Sequence, residues 1–173
     1  AEFLKSHYHL VHISTGDVFR NNIKNATDMG KQAKSYMDKG DLVPDEVTIN
    51  MLEAEVEKHP NAKGFIFDGF PRTRAQAESL DVFLNRKGMS ISATIALEAD
   101  DDELVARLLK RGETSGRSDD QDEIKIRNRF EEYSQKTAPL RQYYTDQNKF
   151  FSINGIGSIE EITQRLLDTI DTL

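Results

Sequence analysis

The sequence predicts an α/β fold, a doubly wound parallel sheet with helices on both faces. Short apolar runs stand at Leu10–Ile13, Gly64–Phe67, Ala93–Glu98 and Phe150–Ile153. Helix-length segments separate them, which is the pattern of parallel βαβ units. Capping residues, glycines and prolines punctuate the junctions.

The elements follow in order. "LVHI" is the first strand in the sequence. Ser14 caps the next helix, with Asp17 three residues later in a capping-box arrangement. A second helix is expected over about Lys31–Lys39, stopping at Gly40. A third starts near Asp45 and ends before Pro60. "GFIF" is a strand, followed by a helix over about Arg74–Lys87 that closes at Gly88. "ATIALE" is a strand, followed by a helix over about Asp101–Arg111 that ends at Gly112. A polar loop runs through Ser118, and a long helix covers about Asp122–Gln147, bent at Pro139. "FFSI" is the last strand, and Ser158 caps the final helix. The opening "AEFLKSHY" reads as the end of a helix with no capping residue before it. A doubly wound sheet opens with a strand, so a strand and a turn are expected upstream of Ala1.

The totals suit one domain of 173 residues with a real core. No apolar run approaches the roughly 20 residues that span a bilayer, and no signal-peptide pattern is present. There is no cysteine, which excludes disulfides and thiolate zinc sites. The four histidines show no ligand spacing. These features predict a cytoplasmic protein with no membrane partner. The net charge of −7 argues against a nucleic-acid partner. It leaves room for a small anion, which needs only a local arginine cluster.

Three motifs carry chemistry. "STGDVFR", Ser14–Arg20, ends a strand and opens a helix, where backbone N–H groups favour anions. A plain helix cap with a surface arginine is the other reading. In "FDGFPRT", Asp68 stands beyond the carboxyl end of a strand, where ligands bind in open α/β sheets. A carboxylate there suits magnesium through waters. Gly69 lets the backbone turn or approach a ligand. Arg72 offers a planar fork for phosphate. A salt bridge between Asp68 and Arg72 is the alternative. "RLLKRGETSGRSDD" places Arg107 and Arg111 four apart on one helix and Arg117 in a loop between two candidate hinge glycines, Gly112 and Gly116. Arg127 and Arg129 follow. These arginines either converge on a polyphosphate or form a solvated face paired with Glu113, Asp119 and Asp120.

"STGDVFR", "GKQAKSYMDKGDLVPDE", "GFIFDGFPRTRAQAE", "RLLKRGETSGRSDD" and "TAPLRQYY" together resemble the adenylate kinases, in the nucleoside monophosphate kinase family. The resemblance covers essentially the whole chain, and "DGFPRT" with "KRGETSGR" is highly specific. It implies a P-loop NTPase-like fold of about five strands in a single domain over residues 1–173. It also implies transfer of a phosphoryl group from magnesium ATP to AMP, giving two ADP. Residues 21–58 would be a helical AMP-binding insertion and 113–120 a short lid with no room for zinc.

By the same resemblance, Thr15, Gly16, Arg20, Met37, Leu42, Val43, Gly69, Arg72 and Gln76 belong to the AMP site. Gln76 would read the adenine edge, since an amide both donates and accepts. Asp68 and Asp17 would hold magnesium-bound waters. Arg107 and the Gly157 backbone would meet the ATP adenine, while Arg111, Arg117 and Arg129 clamp phosphates alongside Arg72. Asp119 or Asp120 would stabilise the closed lid. One extra residue between Arg117 and Arg129 leaves Arg127 as a rival to Arg129. The family's G-x-x-x-x-G-K-[ST] loop is missing from the sequence, so roughly 15–20 residues, one strand plus a loop, are expected before Ala1. Without that strand, its two neighbours in the sheet would each lack a partner. The expected protein is a monomer acting on ATP, AMP and ADP. A UMP/CMP kinase, or a non-catalytic remnant without the phosphate loop, are the alternatives; Thr15 and Gln76 favour AMP.

Overall fold

A computed structural model describes residues 1–39, 41–117 and 120–173. Helix α1 (Glu2–Tyr8) leads into strand β1 (Val11–Ser14) and helix α2 (Thr15–Lys24). Helices α3 (Asp28–Met37) and α4 (Asp45–Glu57) precede strand β2 (Phe65–Asp68) and helix α5 (Arg74–Arg86). Then come β3 (Thr94–Glu98), α6 (Asp101–Ser115), α7 (Glu123–Glu132), a π-helical turn (Tyr133–Thr137), α8 (Leu140–Thr145), β4 (Phe150–Asn154) and α9 (Ile159–Ile170). Ala1 gives α1 no side-chain cap, in line with its sequence. Ser158 and Glu161 form a full capping box on α9.

Every strand pairing is parallel, as βαβ units require. β1 pairs with β2, with Val11 opposite Phe65 and Ser14 opposite Asp68. β3 pairs with β4, with Thr94 opposite Phe150 and Glu98 opposite Asn154. Among the described residues these are two ribbons, not one continuous ladder. β2 and β3 therefore each have a single strand partner. The expected covering of both faces is incomplete accordingly: Phe65, Ile66 and Phe67 are only partly buried, and Leu97 is 51% exposed.

The main core lies where α4 and α5 meet β1: Ile13, Leu52, Val56, Phe70, Leu80, Phe83 and Leu84 are buried together. A second cluster, Phe19, Ala33, Val43 and Met51, joins α2, α3 and α4. A third, Ala77, Leu140 and Tyr144, seats α8 on α5.

Three helices differ from the expected bounds for identifiable reasons. α3 begins at Asp28, three residues early, because the Thr27 hydroxyl accepts from the Gly30 N–H and caps it. The expected stop at Gly40 lies outside the described residues. α6 does not end at Gly112 but continues to Ser115, where Gly116 closes it at φ 66°. Gly112 is a point of close approach rather than a hinge, since a Cβ there would lie 2.5 Å from the Asp120 carbonyl oxygen. The expected long helix is interrupted before Pro139 by the π-helical turn, in which Ala138 N–H donates to Tyr133 O.

Gly30 is a similar contact point between α2 and α3. A Cβ there would stand 2.3 Å from the Asn22 carbonyl carbon, and backbone cannot rotate away. Gly30→Ala is expected to destabilise the protein by about 2 kcal/mol or more through overpacking. Urea unfolding checks this: an unchanged midpoint shows that the two helices move apart freely.

Candidate active site

The site begins at two adjacent strand tips. Ser14 ends β1 and caps α2, its hydroxyl accepting from Asp17 N–H at 3.3 Å. The Asp17 side chain does not complete the expected box; it accepts from Arg20 Nη2 at 2.5 Å instead. Thr15 Oγ1 donates to Gly69 O at 3.1 Å and so ties the start of α2 to the turn after β2. Gly69 has φ 73°, and a Cβ there would lie 2.9 Å from Arg72 Nη2 and 3.3 Å from Thr15 Oγ1. The position thus needs glycine on both conformational and steric grounds. The Phe70–Pro71 peptide is cis. Arg72 Nε donates to Gly69 O at 2.8 Å, folding the guanidinium back over the strand tip. Its main chain is held on both sides: Gln76 Oε1 accepts from Arg72 N–H at 2.8 Å, and Thr137 Oγ1 donates to Arg72 O at 2.8 Å. At this turn Asp68 Oδ2 lies 3.2 Å from His12 Nε2, while the Arg72 guanidinium turns to Gly69 O.

These residues line a cleft of about 350 Å³. Its apolar wall is Phe19, Met37, Leu42 and Val43. Thr15, Gly16, Thr48 and Gln76 line it as well. Five guanidinium groups reach it, from Arg20, Arg72, Arg111, Arg117 and Arg129, against the carboxylates of Asp17, Asp41 and Asp68. Burial first, and then the neighbouring Arg20 and Arg111 charges, lower the Arg117 pKa from its ordinary value. Arg117 is thus partly desolvated beside other positive groups, inside a chain whose net charge is −7. The Arg20 hydrogen bond, against the opposing effect of burial, holds the Asp17 carboxyl below the usual range.

Asp120 organises the arginines. Its side chain is fully buried and accepts from Arg111 Nε at 2.6 Å, Arg111 Nη2 at 3.0 Å and Arg129 Nη1 at 2.9 Å. Burial alone would raise this carboxyl's pKa; the two guanidiniums outweigh it and hold it below the ordinary value. Arg127 points elsewhere, to Glu123 at 2.8 Å. Of the two, Arg129 lines the cleft and Arg127 does not. Arg107 shares a helix with Arg111 but not its destination. Arg107 donates to Glu103 and to Gly155 O at 2.9 Å, beyond the end of β4 and near Gly157. Neither Arg107 nor Gly157 lines the cleft. Asp119 and Ser118 lie outside the described residues.

Three cleft residues, Phe19, Asp41 and Thr48, are not among the expected site residues. Phe19 lies one helical turn beyond Thr15, a spacing that could have marked it. Asp41 is fixed from a distance, accepting from Asn128 Nδ2 on α7 at 3.2 Å. Thr48 back-bonds to Pro44 O at 3.1 Å, a contact no sequence pattern signals.

The two carboxylates expected near magnesium differ. Asp17 is committed to Arg20 and, at 3.6 Å, to Arg117. Asp68 is exposed at the tip of β2, with Oδ2 3.2 Å from His12 Nε2. Among the described residues no group of three or more His, Cys, Asp or Glu could hold a metal ion. An exposed carboxylate at the cleft edge suits a hydrated divalent ion contacted through water.

Parallel βαβ units with an arginine-lined cleft at their carboxyl ends define a protein built to bind phosphorylated ligands. The sequence profile described as Adenylate kinase matches residues 1–149. The adenylate kinase of Flavobacterium psychrophilum is 65% identical over the whole chain, which covers 91% of that protein. That of Flavobacterium johnsoniae is 64% identical with the same coverage, and that of Bacteroides fragilis 44%. The chain belongs to the adenylate kinase family.

Proposed function

We propose that the cleft is the AMP site and the phosphoryl-transfer centre, with the ATP adenine lying toward Arg107 and Gly157. The chain's reaction is that of its family, ATP plus AMP giving two ADP. The observation that carries the assignment of the cleft is the convergence of five arginines beside one apolar wall. The wall of Met37, Leu42 and Val43 suits a base, with Thr15 and Gln76 at its polar edge. Arg20 and Arg72 hold the AMP phosphate, with Gly16 and Gly69 giving it close approach. Arg111, Arg117 and Arg129 neutralise the phosphates of ATP. Charge-assisted contacts of this kind are worth about 1.5–3 kcal/mol each.

In the reaction, an oxygen of the AMP phosphate forms a bond to the γ-phosphorus of ATP while the bond to the β–γ bridging oxygen breaks. ADP leaves, and the acceptor becomes the second ADP. No side-chain nucleophile is needed; the protein supplies position and positive charge. Magnesium, bound to ATP, adds charge neutralisation at its phosphates. Asp68 would contact its waters, with Asp17 a lesser partner because of its arginine pairs. Residues 21–58 and the short segment 113–120 form the AMP-binding and lid elements that exclude water. No helix among the described residues is long and apolar enough to cross a membrane. A cytoplasmic monomer without zinc completes this reading.

Steady-state assays of the whole enzyme with AMP, CMP and UMP test the base-side roles. A preference for AMP of two or more orders of magnitude in kcat/KM is expected. A pyrimidine preference would remove Thr15 and Gln76 from base recognition.

A further inference from the structure

We infer that Asp45, which does not itself line the cleft, sets purine specificity by fixing which way the Gln76 amide faces. Gln76 is 2% exposed, and its side chain lines the cleft floor. Its Oε1 accepts from Arg72 N–H at 2.8 Å, and its Nε2 donates to Asp45 Oδ1 at 2.7 Å. The orientation is forced. A backbone N–H can only donate, and an ionised carboxylate can only accept. A flipped amide would set donor against donor and acceptor against acceptor, in a buried place. Asp45 reaches across 31 positions of sequence, from the first turn of α4 to the first turn of α5.

An amide held this way has one lone pair on Oε1 and one N–H on Nε2 left for a ligand. That pair, an acceptor beside a donor, complements the adenine edge, where the N6 amino group donates and N1 accepts. Hypoxanthine presents the reverse, an O6 acceptor and an N1–H donor. Only a flipped amide matches it. Asp45 and the Arg72 N–H together make that flip unfavourable, so the enzyme discriminates AMP from IMP through a residue that never touches the base. Asp45 is a positioning residue, and its role rests on the base-reading function given to Gln76 above.

The test is the ratio of kcat/KM for AMP to kcat/KM for IMP, with ATP as donor, in the whole enzyme. Asp45→Ala is expected to lower this ratio by about tenfold, the loss of one charge-assisted hydrogen bond. Asp45→Asn offers Nε2 an acceptor but can also turn its own amide N–H toward a flipped Gln76, so a ratio between those of the alanine variant and the parent is expected. Asp45→Ser is too short to reach Gln76 but suits a helix start, and serves if the alanine variant does not fold. A purely structural role for Asp45 would change thermal stability and leave the ratio alone. A ratio within twofold of the parent in Asp45→Ala or Asp45→Ser overturns the proposal. Gln76→Ala separates the two levels. If its ratio equals the parent's, the base-reading role itself fails and the proposal with it. If its ratio falls while the Asp45 variants hold, only the part given to Asp45 fails.

Discussion

Arg72→Ala is expected to cut kcat/KM for AMP by at least two orders of magnitude while the fold survives. Two decades correspond to about 2.7 kcal/mol of lost transition-state stabilisation, the size of one or two charge-assisted contacts to phosphate. The fold survives because the structural work at this position is done by the main chain. Gln76 accepts from Arg72 N–H, Thr137 donates to Arg72 O, and alanine keeps both. What is removed is the guanidinium, which donates to Gly69 O among its contacts. The melting temperature should therefore move little, by the few degrees that about 1 kcal/mol produces in a domain of this size. Arg72→Lys keeps the charge but not the planar fork, and an intermediate loss near tenfold is expected. AMP turnover in Arg72→Ala equal to that of the parent would refute the phosphate-binding role.

Contrasts among the residues show why part of this site is legible in sequence and part is not. Strand tips and helix caps are local: "LVHI" followed by Ser14, or "GFIF" followed by Asp68, places a side chain at a carboxyl end within a residue or so. Gly112 and Gly116 look alike in sequence. One closes a helix at positive φ; the other sits inside it because the Asp120 main chain passes within reach of a Cβ. Nothing local distinguishes a glycine that ends a helix from one that admits a neighbour. Arg107 and Arg111 share a helical face, yet Arg107 turns to Gly155 and Arg111 to Asp120. Long side chains reach partners several ångströms to either side, so spacing defines a face and not a destination. The contact of Gln76 with Asp45 joins segments packed together only in the tertiary structure, and no periodicity reports it. Strand pairing is equally non-local: alternation indicates parallel strands, but not that β1 lies beside β2 and β3 beside β4.

Asp120→Ala is expected to disable the arginine clamp from behind. The Asp120 carboxylate accepts from Arg111 of α6 and Arg129 of α7, and its loss removes buried negative charge from beside a cleft that Arg20, Arg72 and Arg117 also line. Repulsion then favours conformers that turn toward solvent, and kcat/KM should fall by about one to two orders of magnitude. The stability loss should be near 1–3 kcal/mol. A fully buried broken pair costs about 3–5 kcal/mol, but the side chains of Arg111 and Arg129 remain 42% and 26% exposed, so water replaces much of the lost interaction. The pH dependence follows from the depressed carboxyl pKa. A folded-state pKa below the unfolded value of about 3.9 means the native state binds fewer protons, so the contribution is fully present above that pH. It is lost as pH falls through the folded pKa. The stability gap between the parent and Asp120→Asn should therefore be constant from pH 7 down to about pH 5 and close below about pH 4. Urea titrations across that range measure it directly. A gap that persists undiminished at pH 3, or unaltered kinetics in Asp120→Ala, would show that the arginines hold their places without the carboxylate.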